Sequence, residues 1–171
     1  KFHIATGSGS NGKSVIINLL LKGLGDYGLT LPNTVLTKKR SSSSSASPEL
    51  AMLQGVRFCV LQEPEGKDKL NVGFMKELTG GDRLYARGLF QEGFNFNVMS
   101  KFVLTCNKMP TIDSNDGGTW RRVRVIPFEI KFVDNPTQAH HRKIDRSIED
   151  KYDIWKEYFI RYLVEIYKKV S

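Results

Sequence analysis

The run Gly7-Ser8-Gly9-Ser10-Asn11-Gly12-Lys13-Ser14 fits the pattern G-x-x-x-x-G-K-[ST] at every fixed position. It constrains the fold on both sides. Phe2-His3-Ile4-Ala5-Thr6 before it reads as a short buried strand, and Val15 through Leu21 after it as an apolar helix. Strand, loop and helix in that order form the context in which the pattern acts as a phosphate-binding loop. Gly7, Gly9 and Gly12 let the backbone curl with its N–H groups pointing inward. The helix start adds exposed N–H groups and a dipole that favour anionic oxygens. In such a loop Lys13 reaches the β- and γ-phosphates of a nucleoside triphosphate, and Ser14 offers its hydroxyl to Mg2+.

The chain has 171 residues, so one domain is the default, and 40% apolar residues suffice for a packed core. Lys and Arg number 26 against 18 Asp and Glu, a net charge of +8. The excess is even along the chain: 14 basic against 10 acidic residues in 1–120, and 12 against 8 in 121–171. That balance suits a polyanionic partner without a dedicated basic tail. Cys59 and Cys106 sit in apolar runs without C-x-x-C spacing, as small core residues of a reducing, intracellular compartment do. His140-His141 has no thiols near it in sequence, so no zinc site is expected. No apolar run approaches the ~18 residues of a membrane span, and no signal-peptide pattern is present. Because Lys1 opens directly on a strand without an initiator Met, the chain is read as a piece of a larger polypeptide.

Patterning beyond the loop alternates strands and helices. A helix is expected over 13–24, closed by Gly25. Residues 26–47 are loop-rich, with one short strand within 31–37. Lys38-Lys39-Arg40 and Ser41 through Ser45 form a low-complexity surface stretch. Ser47-Pro48-Glu49 starts a helix that stops at Gly55. Further elements are a strand over 57–61, a helix over 72–78, strands over 84–90 and 94–98 around a Gln91-Glu92-Gly93 turn, a strand over 101–106 and another over 122–128. A polar loop fills 111–119. Ile154, Trp155, Tyr158, Phe159, Tyr162, Leu163, Ile166 and Tyr167 recur at helical spacing within 150–169, and their aromatics read as core. Ligand-bearing groups at strand ends make this an open α/β sheet with its site at the carboxyl edge.

Three further groups complete a hydrolytic site. Glu63 follows an apolar strand, where a nucleotide hydrolase keeps the acid that serves Mg2+ and the attacking water. The preceding residue is Gln62, so the first acid of a paired motif is absent, with Glu65 and Asp82 as nearby carboxylates. Asn107 ends the next buried strand, suited to orienting water and sensing the γ-phosphate. Trp120-Arg121-Arg122 follows the polar loop, with Arg124 behind. An arginine presented in trans stabilises charge on the transferring phosphoryl group, and Arg121 and Arg122 are the candidates.

Together these segments resemble the superfamily 3 helicases, and within them the helicase domain of poxvirus and giant-virus primase-helicases. Gly7 through Ser14 matches motif A and Phe58 through Glu65 motif B. Lys76-Glu77-Leu78-Thr79-Gly80-Gly81-Asp82 with Arg87 matches motif B′, and Leu104-Thr105-Cys106-Asn107-Lys108-Met109-Pro110 motif C. Ser114 through Arg122 resembles the arginine-finger segment of that group. The resemblance covers about residues 1–130 in the family's order. It implies an AAA+ type P-loop NTPase with a central parallel sheet flanked by helices and a β-hairpin before motif C. Residues 131–171 would then be a C-terminal helical extension packed on the core.

The same resemblance implies an ATP-dependent DNA helicase motor that works as a homo-hexameric ring. ATP would sit between subunits, with Lys13, Ser14, Glu63 and Asn107 in cis and Arg121 or Arg122 from the neighbour. The hairpin would grip single-stranded DNA at a fork; here its tip, Phe90-Gln91-Glu92-Gly93, carries an aromatic but no Lys. Phe90 could stack on a base, and Arg87 and Lys101 could hold phosphates. A fused or partner primase domain and a viral replication compartment in the host cytoplasm follow as expectations. Two rival readings are a non-catalytic ATP-binding ring-assembly or DNA-binding module, which the missing first acid of motif B would suit, and a small P-loop kinase, in which Asn107 and Trp120-Arg121-Arg122 would have no role.

Overall fold

A computed structural model describes residues 1–32, 34–37, 45–62 and 69–170. Lys38-Lys39-Arg40, Ser41 through Ser44, Glu63 and Glu65 lie outside the described residues. The strands are β1 (Phe2–Thr6), β2 (Gly28–Leu31), β3 (Phe58–Leu61), β4 (Arg83–Arg87), β5 (Gly93–Asn97), β6 (Lys101–Cys106), β7 (Val123–Pro127), β8 (Lys131–Val133) and β9 (His141–Lys143). The helices are α1 (Lys13–Leu24), α2 (Thr34–Thr37), α3 (Pro48–Ala51), α4 (Val72–Gly80), α5 (Gly117–Trp120) and α6 (Tyr152–Val170).

Five strands build the central sheet in the order β2-β3-β6-β1-β7, with every pairing parallel. Period-two alternation explains why it is covered on both faces. Phe2, Ile4, Cys59, Leu61, Phe102, Leu104 and Cys106 join one buried cluster, packed with Phe74, Met75 and Leu78 of α4 and Leu84, Ala86 and Phe96 of the β4–β5 hairpin. Ala5, Val60 and Val103 point the other way, onto Ile17 of α1. Phe2 and Phe102 stack across the β1–β6 pair with ring centroids 6.4 Å apart. Burial pushes the Cys59 thiol up to about 12, so it is an inert core group.

The local signals act as their chemistry predicts. Gly25, at φ 53°, closes α1. The Asn71 side chain caps α4 by accepting the Phe74 N–H at 3.0 Å, and Gly81, at φ 96°, ends it. Residues after 130 begin with the parallel ribbon β8–β9, paired Lys131 to His141, and end in α6. α6 lies on α1, where the Tyr152 hydroxyl donates to the Val15 carbonyl at 3.1 Å and Lys22 pairs with Asp153 at 3.0 Å.

Four sequence expectations are corrected. The strand placed within 31–37 lies at Gly28–Leu31; Pro32 has no N–H for the ladder, and the Val35 N–H turns back to its carbonyl at 3.2 Å. The hairpin closes through 88–92 rather than 91–93, because Gly93 pairs with Arg87 and its missing Cβ makes room for the Tyr85 phenol. The loop over 111–119 contains the turn of helix α5. Most aromatics placed in the core on α6 are not there: Tyr158, Tyr162 and Tyr167 are 68%, 61% and 69% exposed, while Tyr152 at the helix start is buried. α6 buries one side against α1 alone, so half of its apolar spacing faces outward.

Gly23 is a tight approach of α1 and α6, since a Cβ there would lie 2.7 Å from Ile160 Cγ1 and 3.3 Å from the Lys156 carbonyl oxygen. Gly23→Val should overpack this seam and cost about 1–3 kcal/mol, read as a lower midpoint in urea unfolding.

Candidate functional site

The parallel register levels the ends of the strands. Thr6 lies beside Cys106 on one side and Pro127 on the other. β1 and β6 are neighbours whose outgoing connections run to opposite sides of the sheet, a topological switch point where open α/β sheets bind ligands. A cleft of about 290 Å3 opens there, lined by Gly9 through Val15 and by Thr105, Cys106 and Asn107.

The glycine loop is held in a conformation that ordinary residues resist. Gly7 has φ 141°, Ser10 φ 59° and Gly12 φ 81°. A Cβ on Gly7 would lie 2.4 Å from the Phe128 carbonyl oxygen and 2.5 Å from Asn11 Nδ2. Asn11 Nδ2 donates to the same Phe128 carbonyl at 3.4 Å. The Phe132 N–H donates to the Ser10 carbonyl at 2.7 Å, and its ring sits over Gly12. The ribbon after residue 130 therefore braces the loop from outside.

Lys13 is 8% exposed and Asn11 7%. The Lys13 ammonium donates to the Gly7 carbonyl and, at 3.2 Å, to Asn11 Oδ1. Asn11 Oδ1 also takes the Lys13 N–H at 3.3 Å. Both partners of the ammonium are neutral, and among the described residues no carboxylate pairs with it. α1 starts at this point with no acid in its first turn and no side-chain cap on its start residue, Gly12. A buried cation, a helix N-terminus and inward N–H groups together favour an anion in the cleft. Ser14 lines the cleft too, so a hydroxyl for a cation is at hand beside the anion position.

The expected residues thus divide into two groups. Gly9, Ser10, Asn11, Gly12, Lys13, Ser14 and Asn107 meet at the cleft, while Gly7 and Ser8 form the loop's entry. β3 ends at Leu61 on the same edge, and Glu63 lies outside the described residues. Arg121 and Arg122 sit at the opposite, amino edge: the Arg122 carbonyl accepts the Phe2 N–H at 2.8 Å. The length of β1, five residues, separates them from the loop by roughly 16 Å at ~3.3 Å per residue. They cannot reach the cleft of their own chain. Arg122 is half-buried and donates to the Gly118 carbonyl at 2.7 Å, whereas Arg121 is exposed and its guanidinium has no hydrogen-bond partner among the described residues. Arg124 donates to the carbonyls of Val123 at 2.8 Å and Arg121 at 3.4 Å.

Lys101 begins β6 at that same amino edge, its N–H bound to the Arg57 carbonyl at 2.8 Å. Phe90 stands at the hairpin tip with φ 56° and a fully exposed ring. The backbone of Arg87 is tied to Ser47, which donates to the Arg87 carbonyl at 2.7 Å and accepts its N–H on Oγ at 3.3 Å. Sequence reasoning missed Thr105, whose hydroxyl donates to the Leu61 carbonyl at 3.4 Å beside the cleft. A lone polar residue in an apolar strand was its signal. It also gave no role to Asp116, whose carboxyl is held down at about 2 by the Lys76 ammonium and the Gly118 N–H.

The chain matches a family of unknown function, DUF5906, over residues 5–122. It is 44% identical over 178 residues to "Putative helicase L207/L206" of Acanthamoeba polyphaga mimivirus, covering 98% of this chain and 18% of that protein. It is 30% identical over 149 residues to "Putative primase C962R" of African swine fever virus, covering 85% of this chain and 16% of that protein. The chain thus spans under a fifth of either relative's length. Among solved structures, the A form apo structure of the NrS-1 C-terminal region has a TM-score of 0.70 at 18% identity, covering 94% of this chain and 35% of that one. That likeness shows a shared α/β fold.

Two loop glycines should respond oppositely to the same change. Gly7→Ala forces both a left-handed strain and a clash with backbone, and should cost about 2 kcal/mol or more. Gly9→Ala meets nothing within 4 Å and should stay within about 0.5 kcal/mol of the parent. Thermal unfolding of the two variants side by side checks this.

Proposed function

The chain belongs to the DUF5906 family, and from the geometry of its loop we propose that it is the ATP-driven motor of a viral DNA helicase, an AAA+ type P-loop domain of the superfamily 3 kind. The observation that carries this is the buried Lys13 ammonium, held by neutral oxygens at the start of α1. A triphosphate would exchange those neutral acceptors for anionic ones, which make stronger hydrogen bonds. The names of the viral relatives, one a helicase and one a primase, support a role in viral DNA replication.

The residues then take these roles. Loop N–H groups from Gly7 through Ser14 cradle the phosphates of ATP and Lys13 neutralises them. The Ser14 hydroxyl, with Glu63 partly through water, would hold Mg2+, which supplies charge neutralisation at the β- and γ-oxygens. Glu63 draws the proton from the attacking water, and Asn107 orients that water and the γ-phosphate. Arg121 or Arg122 completes the site from a neighbouring copy, and the separation of roughly 16 Å within one chain supports this division. Arg121, exposed and pointing to no partner among the described residues, is the better finger. Such head-to-tail pairing closes into a ring, here a homo-hexamer. The hairpin, through Phe90 with Arg87 and Lys101, would hold single-stranded DNA at a fork, and a fused or partner primase domain would act alongside. The site of action is the viral replication compartment, in the host cytoplasm.

DNA-stimulated release of phosphate from ATP tests the reading. Lys13→Ala should abolish it. Arg121→Ala should keep ATP binding and lower hydrolysis by about a thousandfold. Hexamers seen by mass measurement with ATP and single-stranded DNA would accompany activity. Nucleotide held unhydrolysed for hours would point instead to the ring-assembly module, and phosphotransfer to a small acceptor to a kinase.

A further inference from the structure

Asp116 receives more than a helix cap requires. Its carboxylate accepts the Gly118 N–H at 2.8 Å, which caps α5, and the Thr119 hydroxyl at 3.4 Å. It also accepts the Lys76 ammonium, which comes from α4. The contact belongs to a longer seam. Lys69 bridges Thr111 in parallel, the Leu70 N–H donates to the Thr111 carbonyl at 3.2 Å, and Lys69 pairs with Asp113 at 3.3 Å. α4 and the residues just before it therefore lace onto the segment that runs from motif C to the arginines.

Each end of this seam leads somewhere. α4 stops at Gly81, and the hairpin begins two residues later at Arg83 with Met75, Leu78, Leu84 and Phe96 in one cluster. The two elements are thus joined by a short link through Gly81 and Asp82 and bury side chains in the same core cluster. α5 stops at Trp120, and Arg121 is the next residue. α5 also has bonds of its own: the Trp120 indole donates to the Ser114 carbonyl at 2.9 Å, Ser114 and Thr119 hydroxyls meet at 2.9 Å, and Arg122 holds the Gly118 carbonyl at 2.7 Å. Losing Lys76 would remove the tie between α4 and Asp116 without unmaking the turn of α5.

We propose that the Lys76–Asp116 ion pair is the joint through which the β4–β5 hairpin sets the position of Arg121, so that single-stranded DNA at the hairpin raises ATP hydrolysis. This rests on the function proposed above and adds how the DNA and ATP sites communicate. Both residues are positioning residues. The side chains of the pair are 34% and 53% exposed, and exposed pairs add little to stability. Its removal should therefore register in coupling rather than in folding.

The test compares ATP hydrolysis by the protein with and without saturating single-stranded DNA, together with ATP affinity and melting midpoint. Asp116→Asn keeps an N-cap and loses the charge; Lys76→Met keeps the stem and loses the ammonium. Both should retain ATP affinity and melting midpoint, and lower the DNA-stimulation ratio by about fivefold or more, the range of ordinary site-to-site coupling. Lys76→Arg should retain the stimulation. Wild-type stimulation in Asp116→Asn and Lys76→Met, on an ATPase that Lys13→Ala abolishes, overturns this joint alone. An equal loss of rate with and without DNA also overturns it, since the pair would then be a fixed prop. An inactive wild-type protein overturns the proposed function and the joint with it.

Discussion

The cleft depends on one buried cation. Lys13 sits against the carbonyl of Gly7 and the amide of Asn11, and the loop's left-handed glycines exist to bring those oxygens within reach. Burial of an ammonium among neutral partners leaves positive charge unspent, and low local dielectric strengthens its pull on an anion. The brace from Phe128 and Phe132 holds the loop in this shape.

The parallel sheet sets the second constraint. With all strands aligned, each end of the sheet collects one class of group. The carboxyl edge gathers the loop and Asn107, and the amino edge gathers Lys101, Arg121 and Arg122. The cleft and these cations therefore lie at opposite ends of the sheet.

Much of this was legible in the residues, and the legible parts share a cause. β1, β3, β6, α1 and α4 were readable because apolar periodicity and glycine punctuation are local. The placement of β6 between β3 and β1 was not, since strand order is decided by long-range packing that leaves no local mark. Pro32 set the end of β2, yet an apolar stretch on both sides drew the expected strand too far along the chain. In α6 the spacing of Tyr158, Tyr162 and Tyr167 announced an amphipathic helix correctly but could not say that only one flank would find a neighbour. For the candidate site, the loop and Asn107 were evident from motif spacing. Asp116 was not, because its value comes from Lys76, forty residues away.

β7 forms one border of the sheet, and its side chains Val125 and Ile126 are 49% and 42% exposed. A bare apolar border of that kind invites a stray strand to add on. Arg124 already occupies the carbonyls of Val123 and Arg121, and Pro127 has no N–H to lend. What remains for an incoming strand is a stretch of two or three residues, too short to template a ladder. The border that carries the arginines is thereby protected against amyloid-like growth while its charges stay open to solvent.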